Sequence, residues 1–338
     1  MPTTSFPVRL QTIDADGPIH FADFGGAGPP MVLVHGLGGS YENWLGVGPK
    51  LAEHARVLAL DLPGFGRTPP AGRAITVTTL QRSLHGFLKA AVGEPVILVG
   101  NSMGGLIAMM QAAREPTSVA GLILVTPALP RVPGGRIELA VQMLFALYVL
   151  PGVAPWFLRN RAARLGPEGL VRELLRLLCT DGSRVPEAIR KAHVELTRAR
   201  LETMPWAHRV FISATRSMLG LILRPRRYYR MVEEIVAPTL LIHGRDDRLV
   251  PLAASQALLR RQPKWTLEVF DDIGHVPQLE ARARFVDAGG RWRRTPRAGV
   301  RFLRPPAGRS VVIRSARLQV PEPFAPRGEA TPWHRRPH

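Results

Sequence analysis

Cysteine is nearly absent. Cys179 is the only one in 338 residues, which excludes an intrachain disulfide and gives no sign of an oxidising compartment. The opening stretch, MPTTSFPVRLQTIDADG, lacks a basic residue ahead of an apolar block and lacks a small-residue cleavage pattern. A secretory signal is therefore not expected, and the cytoplasm is the default location. An unbroken apolar span is lacking too. Leu139 to Leu158 carries no charge and is flanked by Arg131, Arg136 and Arg159, but Gln142, Pro151, Gly152 and Pro155 interrupt it. A spanning helix needs about 20 predominantly apolar residues. The two remaining expectations are a helix closing over an apolar pocket and an interfacial segment in weak contact with a membrane surface, which would place the protein at the membrane periphery. Lysine is missing from Ala281 to His338, where fourteen arginines stand against three acids and supply +11 of the chain's formal +19. Such a balance raises nucleic acid or an anionic surface as a partner. The tail forms no recognised nucleic-acid module, so no specific nucleic acid is expected, and no motif specifies an oligomer.

What is present is material for a large core, with 46% of the residues apolar. The first half alternates short β-branched runs with longer helical stretches, the pattern of an α/β fold with a mostly parallel, doubly wound sheet. Val8 to Ile13 and Ile19 to Phe24 predict an opening hairpin turning at Asp16–Gly17. Buried strands are predicted at Met31 to His35, Val57 to Asp61, Val96 to Gly100, Leu122 to Thr126, Thr239 to His243 and Leu267 to Phe270. Helical spacing covers Glu42 to His54, Thr78 to Val92 and Met103 to Arg114. The predicted organisation is a core first part at 1–127, a helical cap insertion at 128–236, a core second part at 237–292 and an Arg/Pro-rich tail at 293–338. The tail is expected to be disordered, or a chain end of unrelated origin such as a reading-frame change would produce. FVDAGGRW at 285–292 starts a helix that Gly289 and Gly290 are expected to break.

The chemistry centres on VILVGNSMGG. Gly100, Ser102 and Gly104 form a Gly-x-Ser-x-Gly pattern directly after a buried strand and directly before a helix, the context of a nucleophile elbow. A serine hydroxyl is barely ionised at neutral pH, so it needs a base and a third group that sets the imidazole tautomer. LLIHGRDDRLVP supplies Asp247 just past a strand, and VFDDIGHVPQLE supplies His275 in a loop past the last strand. Asp246 is the fallback acid; Asp271 and Asp272 also lie near His275 in sequence. Acyl transfer further requires donors for the developing oxyanion, worth roughly 3–4 kcal/mol each. The N–H of Met103, at a helix start, is one candidate, and the N–H of Leu37 in the His35-Gly36-Leu37-Gly38-Gly39 loop is the other. His35 itself is expected to be structural.

HGLGG, DLPGFGRT, GNSMGG, GRDDRLVP and GHVPQLE, in this order from about Val8 to Trp292, resemble the α/β-hydrolase superfamily in its serine-nucleophile branch. The resemblance implies an α/β-hydrolase fold with an inserted cap, and an enzyme using Ser102, Asp247 and His275 without metal or organic cofactor. The aspartate-nucleophile branches, epoxide hydrolases and haloalkane dehalogenases, are less similar because Ser102 stands at the elbow. GNSMGG and GRDDRLVP are similar to the carbon–carbon hydrolases of ring-cleavage products, although Val276 stands where those enzymes carry a tryptophan after the histidine. The leading expectation is a carboxylesterase or lipase-like hydrolase of a small lipophilic acyl ester. The alternatives are carbon–carbon bond hydrolysis and a non-catalytic ligand-binding scaffold.

Overall fold

The computed structural model describes residues 8–295. Most of the Arg/Pro-rich stretch, including the strand-like VVIR at 311–314, lies outside the described residues. β1 (Arg9–Asp14) and β2 (Pro18–Gly25) pair antiparallel, and Asp16 and Gly17 between them take φ of 60° and 100°, the geometry an Asp-Gly turn favours. Six strands follow: β3 (Pro30–Val34), β4 (Arg56–Leu60), β5 (Val96–Asn101), β6 (Val119–Val125), β7 (Thr239–Gly244) and β8 (Thr266–Phe270). They pair in parallel, and the eight-stranded sheet runs β1-β2-β4-β3-β5-β6-β7-β8.

A parallel strand needs a covered crossover, and helices lie on both faces. Alternation along the strands feeds two cores. Val96, Leu98, Leu122 and Leu124 face the side covered by α2 (Val77–Phe87) and α3 (Met103–Arg114). Ile97, Val99, Ile123 and Val125 face the side covered by α1 (Gly48–Ala52) and α11 (Arg282–Arg294). Between β6 and β7 the chain is helical: α4 (Leu139–Val149), α5 (Val153–Leu178), α6 (Glu187–Thr203), α7 (Ala207–Ile222) and α8 (Pro225–Glu233). α5 is broken at Gly166–Pro167, where Gly166 takes φ of 61°. α9 (Leu252–Arg261) and α10 (Pro277–Glu280) complete the second part of the core.

The structure departs from the sequence reading at three helices. Glu42 to His54 is not one helix but a single 3-10 turn, Tyr41–Trp44, followed by α1, because buried Trp44 and Gly48 are pressed into the sheet face. The helix predicted to reach Val92 ends at Phe87 and widens into a π turn, Leu88–Val92, closed by Gly93 at φ 75°. α11 runs straight through Gly289 and Gly290 to Arg294. Two helical glycines cost about 1 kcal/mol each. The buried face Phe285, Ala288 and Trp292 outweighs them, since burying a large apolar side chain contributes about 1.5–3 kcal/mol.

β4 and β5 flank β3 on opposite sides, so the chain direction of crossover reverses there. In an open α/β sheet this reversal opens a crevice at the carboxyl ends of the strands. The loops leaving β3 and β5 carry HGLGG and Ser102.

Candidate active site

Ser102 sits between the last residue of β5 and the first of α3 at φ 54° and ψ −118°. A non-glycine residue in that region stores about 1–3 kcal/mol of strain and persists only where its surroundings over-determine it. They do. Its N–H donates to the Val125 carbonyl at 3.0 Å, and its own carbonyl accepts from Leu106 at 3.1 Å and from Ala128 at 3.0 Å. The flanking glycines are required by contact. A Cβ on Gly100 would lie 2.5 Å from the Gly104 carbonyl oxygen, and one on Gly104 would lie 2.3 Å from that of Val34.

The loop after β3 presses against the same point. A Cβ on Gly36 would approach the Ser102 Cβ to 3.2 Å, so glycine lets the loop backbone lie beside the serine. His35 is structural, as expected: its Nδ1 meets the Gly36 carbonyl at 2.7 Å and its Nε2 accepts from Leu62 N–H at 3.0 Å. Among the described residues, neither the Leu37 nor the Met103 N–H donates to another backbone or side-chain group. Arg200, on α6, donates to the carbonyls of Gly38 and Gly39 at 2.7 and 2.9 Å and so braces this loop from the helical insertion.

The structure brings Asp247 and His275 together and leaves the other acids apart. His275 Nδ1 lies 2.7 Å from Asp247 Oδ2. An ionised carboxylate only accepts, so Nδ1 carries the proton and Nε2 keeps a free lone pair. That Nε2 is buried with no partner among the described residues. Asp247 Oδ1 accepts from the N–H groups of Leu249 and Val250 at 2.8 and 3.0 Å. Burial pushes the Asp247 carboxyl up, but the charge and hydrogen bond of His275, with help from His243 and the Val250 N–H, hold it below the usual carboxylate range. Asp246 and Asp272 are exposed, and Asp271 pairs with Arg245 at the surface.

Several positioning groups carried no readable signal. The His275 carbonyl accepts from Thr126 Oγ1 at 2.7 Å and Asn101 Nδ2 at 3.2 Å, while its N–H donates to the Leu178 carbonyl at 2.6 Å. Buried Glu280 joins the two parts of the chain, accepting from Gly274 at 2.9 Å and from Asp181 at 2.7 Å. A Cβ on Gly274 would lie 2.4 Å from the Leu178 carbonyl oxygen, so the insertion packs directly on the histidine loop. His243 lies 3.8 Å from the same Asp247 oxygen but is engaged elsewhere, with Ser255 Oγ at 2.7 Å and the Val250 carbonyl at 2.9 Å. Asn101 and Glu280 stand inside motifs that were recognised. Their type alone says nothing about a partner far away in sequence.

Ser102, His275 and the loop Gly36–Ser40 line one cavity of about 140 Å³. Its roof comes from Leu144, Phe145 and Tyr148 of α4, Leu174 and Leu178 of α5, and Phe211 of α7. His193, Thr197 and Arg200 of α6 line it as well. Among the described residues no group of three or more His, Cys, Asp or Glu side chains is arranged to hold a metal ion. A half-buried serine held out at a strand end, lining the same cavity as an imidazole with one free nitrogen, is an arrangement for nucleophilic attack.

The sequence profile of the alpha/beta hydrolase fold matches residues 29–282. The chain is 31% identical over 273 residues to a 2-hydroxy-6-oxo-2,4-heptadienoate hydrolase of Pseudomonas putida, covering 77% of this chain and 87% of that protein. It is 28% identical to a pimeloyl-[acyl-carrier protein] methyl ester esterase of Aromatoleum aromaticum, covering 74% and 92%. Among solved structures, a membrane phospholipase A superposes with a TM-score of 0.65 at 26% identity, covering 84% and 85%. Sheet order, elbow and profile agree: the chain belongs to the α/β-hydrolase fold family and is a hydrolase.

Proposed function

We propose that the protein hydrolyses a lipophilic carboxylic ester through an acyl-enzyme on Ser102. The observation that carries the reading is the His275 imidazole, with Nδ1 held by Asp247 and Nε2 buried and unpartnered, in a residue that lines the same cavity as Ser102. In this mechanism Nε2 takes the hydroxyl proton as Ser102 Oγ attacks the ester carbonyl. The N–H groups of Leu37 and Met103, left without protein acceptors, receive the oxyanion charge. The tetrahedral intermediate collapses, the alcohol departs with the proton from His275, and water activated by the same nitrogen releases the acid. The small cavity and its leucine and phenylalanine roof favour an apolar acyl group of modest size.

A second reading is carbon–carbon bond hydrolysis of a ring-cleavage acid. The name of the Pseudomonas putida relative favours it, as does the cationic Arg200 in the cavity lining. Two guanidinium nitrogens of Arg200 are already committed to the Gly38 and Gly39 carbonyls, and Val276 gives no indole beside the histidine, which favours the ester.

A chain-length series of p-nitrophenyl esters, assayed beside a ring-cleavage dienoate, separates the two. The expected outcome is turnover of short to medium acyl esters, abolished in Ser102→Ala, with fluorophosphonate labelling of Ser102. Full ester turnover by Ser102→Ala would sink the nucleophile. Faster turnover of the dienoate would transfer the assignment to the second reading.

A further inference from the structure

α4 is apolar on both sides. One stripe, Val141, Leu144, Phe145 and Tyr148, points inward, and its last three members roof the cavity over Ser102. The opposite stripe, Leu139, Met143, Ala146 and Leu150, follows helical spacing and is exposed to solvent. Leu139 is 71% exposed, Met143 59% and Leu150 46%; across the turn, Val153 is 38% and Trp156 60% exposed. Scattered surface leucines need no explanation, but a continuous stripe ending in a tryptophan does. No helix among the described residues is long and apolar enough to cross a membrane, and α4 and α5 are bent by 113° at Pro151–Gly152. The exposed Val153 and Trp156 follow the stripe directly across the bend.

The charge around it is mainly cationic. From Leu139 to Leu158 there is no charged residue, and the exposed rim carries Arg131, Arg136, Arg159, Arg209 and Arg216. Arg131 reaches Gln142 on α4, Arg216 donates to the Val149 carbonyl, and Arg209 lies in the groove beside Pro151 and Pro155. The one acid at the edge, Glu138, is offset by Arg248 at 3.7 Å. An apolar centre with a cationic rim matches the layered chemistry of an anionic lipid surface, acyl chains below and phosphates above.

We propose that the α4–α5 tip docks on an anionic bilayer, inserting Met143, Leu150 and Trp156 among the acyl chains with the rim arginines at the phosphates. The helix that roofs the cavity then also touches the lipid, so an apolar substrate has a path from the membrane to Ser102 along α4.

The test uses the full chain carrying Ser102→Ala, so that partition is read without turnover and stands or falls separately from the ester reading. Sedimentation with vesicles of phosphatidylcholine and phosphatidylglycerol at 3:1 is expected to carry the protein down, with pure phosphatidylcholine at least tenfold weaker. Met143→Ser with Trp156→Ser is expected to lower partition at least tenfold without changing the thermal midpoint by more than a few degrees. Lipids brominated on the acyl chain are expected to quench tryptophan fluorescence, and Trp156→Phe to remove most of that quenching. Three results would overturn the proposal: no partition of the full chain, partition unchanged in the double variant, or a dimer lost in the double variant with no effect on vesicle binding. The second would assign binding to charge elsewhere, the third would assign the stripe to a second copy.

Discussion

Asp246 and Asp247 differ by one position and by everything that matters to a proton. Asp247 is turned inward, with one oxygen on the His275 ring and the other on two backbone N–H groups; Asp246 is exposed. Asp247→Asn removes the acceptor that fixes the His275 tautomer, so kcat is expected to fall by about 10³–10⁴-fold with the fold retained. Asp246→Asn is expected to leave kcat within about twofold, since an exposed carboxylate is screened by water; steady-state ester kinetics check both. A second buried acid, Asp61, accepts from Tyr41 and Arg67 N–H groups and meets His20 Nδ1 at 3.1 Å. Burial raises it, but those hydrogen bonds and the neighbouring imidazoles hold it below the usual carboxylate range, and Asp247 lies below that range as well. A depressed folded-state value means that stability is present in full above the unfolded value and is lost as pH falls through the folded one. Urea unfolding is therefore expected to show a loss beginning below about pH 4, with a shallower acid limb in Asp61→Asn. Ser102, His275 and the Asp246–Asp247 pair were legible because the reaction demands those residue types at strand ends. Between the two aspartates the sequence favoured Asp247 and kept Asp246 as the fallback; the decision rests on which way each side chain turns after β7.

Among the elements, α11 shows where local propensity loses to packing. Gly289 and Gly290 looked like a break, yet the helix continues because Phe285, Ala288 and Trp292 bury one face against the sheet. The two glycines supply no packing of their own. A Cβ on Gly289 would meet only Ile123 Cδ1 at 3.6 Å, and one on Gly290 only the flexible Arg294 guanidinium at 3.5 Å. Gly289→Ala with Gly290→Ala is thus expected to stabilise the protein by about 1–2 kcal/mol, read as a rise of a few degrees in Tm. The opposite situation holds at Gly104, where the space a Cβ needs is filled by the Val34 and His35 carbonyls. Short β-branched apolar runs predicted every strand to within a few residues, since a strand buried on both faces of a covered parallel sheet is apolar along its whole length. The short pieces at Tyr41–Trp44 and Gly48–Ala52 left no such trace, because their course follows the sheet surface and not their own period.

For the whole molecule, the described fold closes at Thr295, with Trp292 buried in the face of the sheet that α11 covers. A chain ending after Thr295 is expected to keep its Tm and the proposed ester turnover. One ending before Trp292 is expected to lose about 3–5 kcal/mol, the cost of removing a buried tryptophan; thermal unfolding of the two truncations decides. The expected doubly wound architecture, the position of the helical insertion between β6 and β7, and the motifs of the elbow followed from order and periodicity along the chain. Those features are set by chemistry that neighbours in sequence share. Contacts between distant residues were settled only by folding: Asn101 and Thr126 on the His275 carbonyl, Glu280 bridging Gly274 and Asp181, Arg200 bracing the loop after β3, and the two opposite stripes of α4. Each depends on the geometry that places one element against another, and a linear pattern carries no record of which side chain will face which.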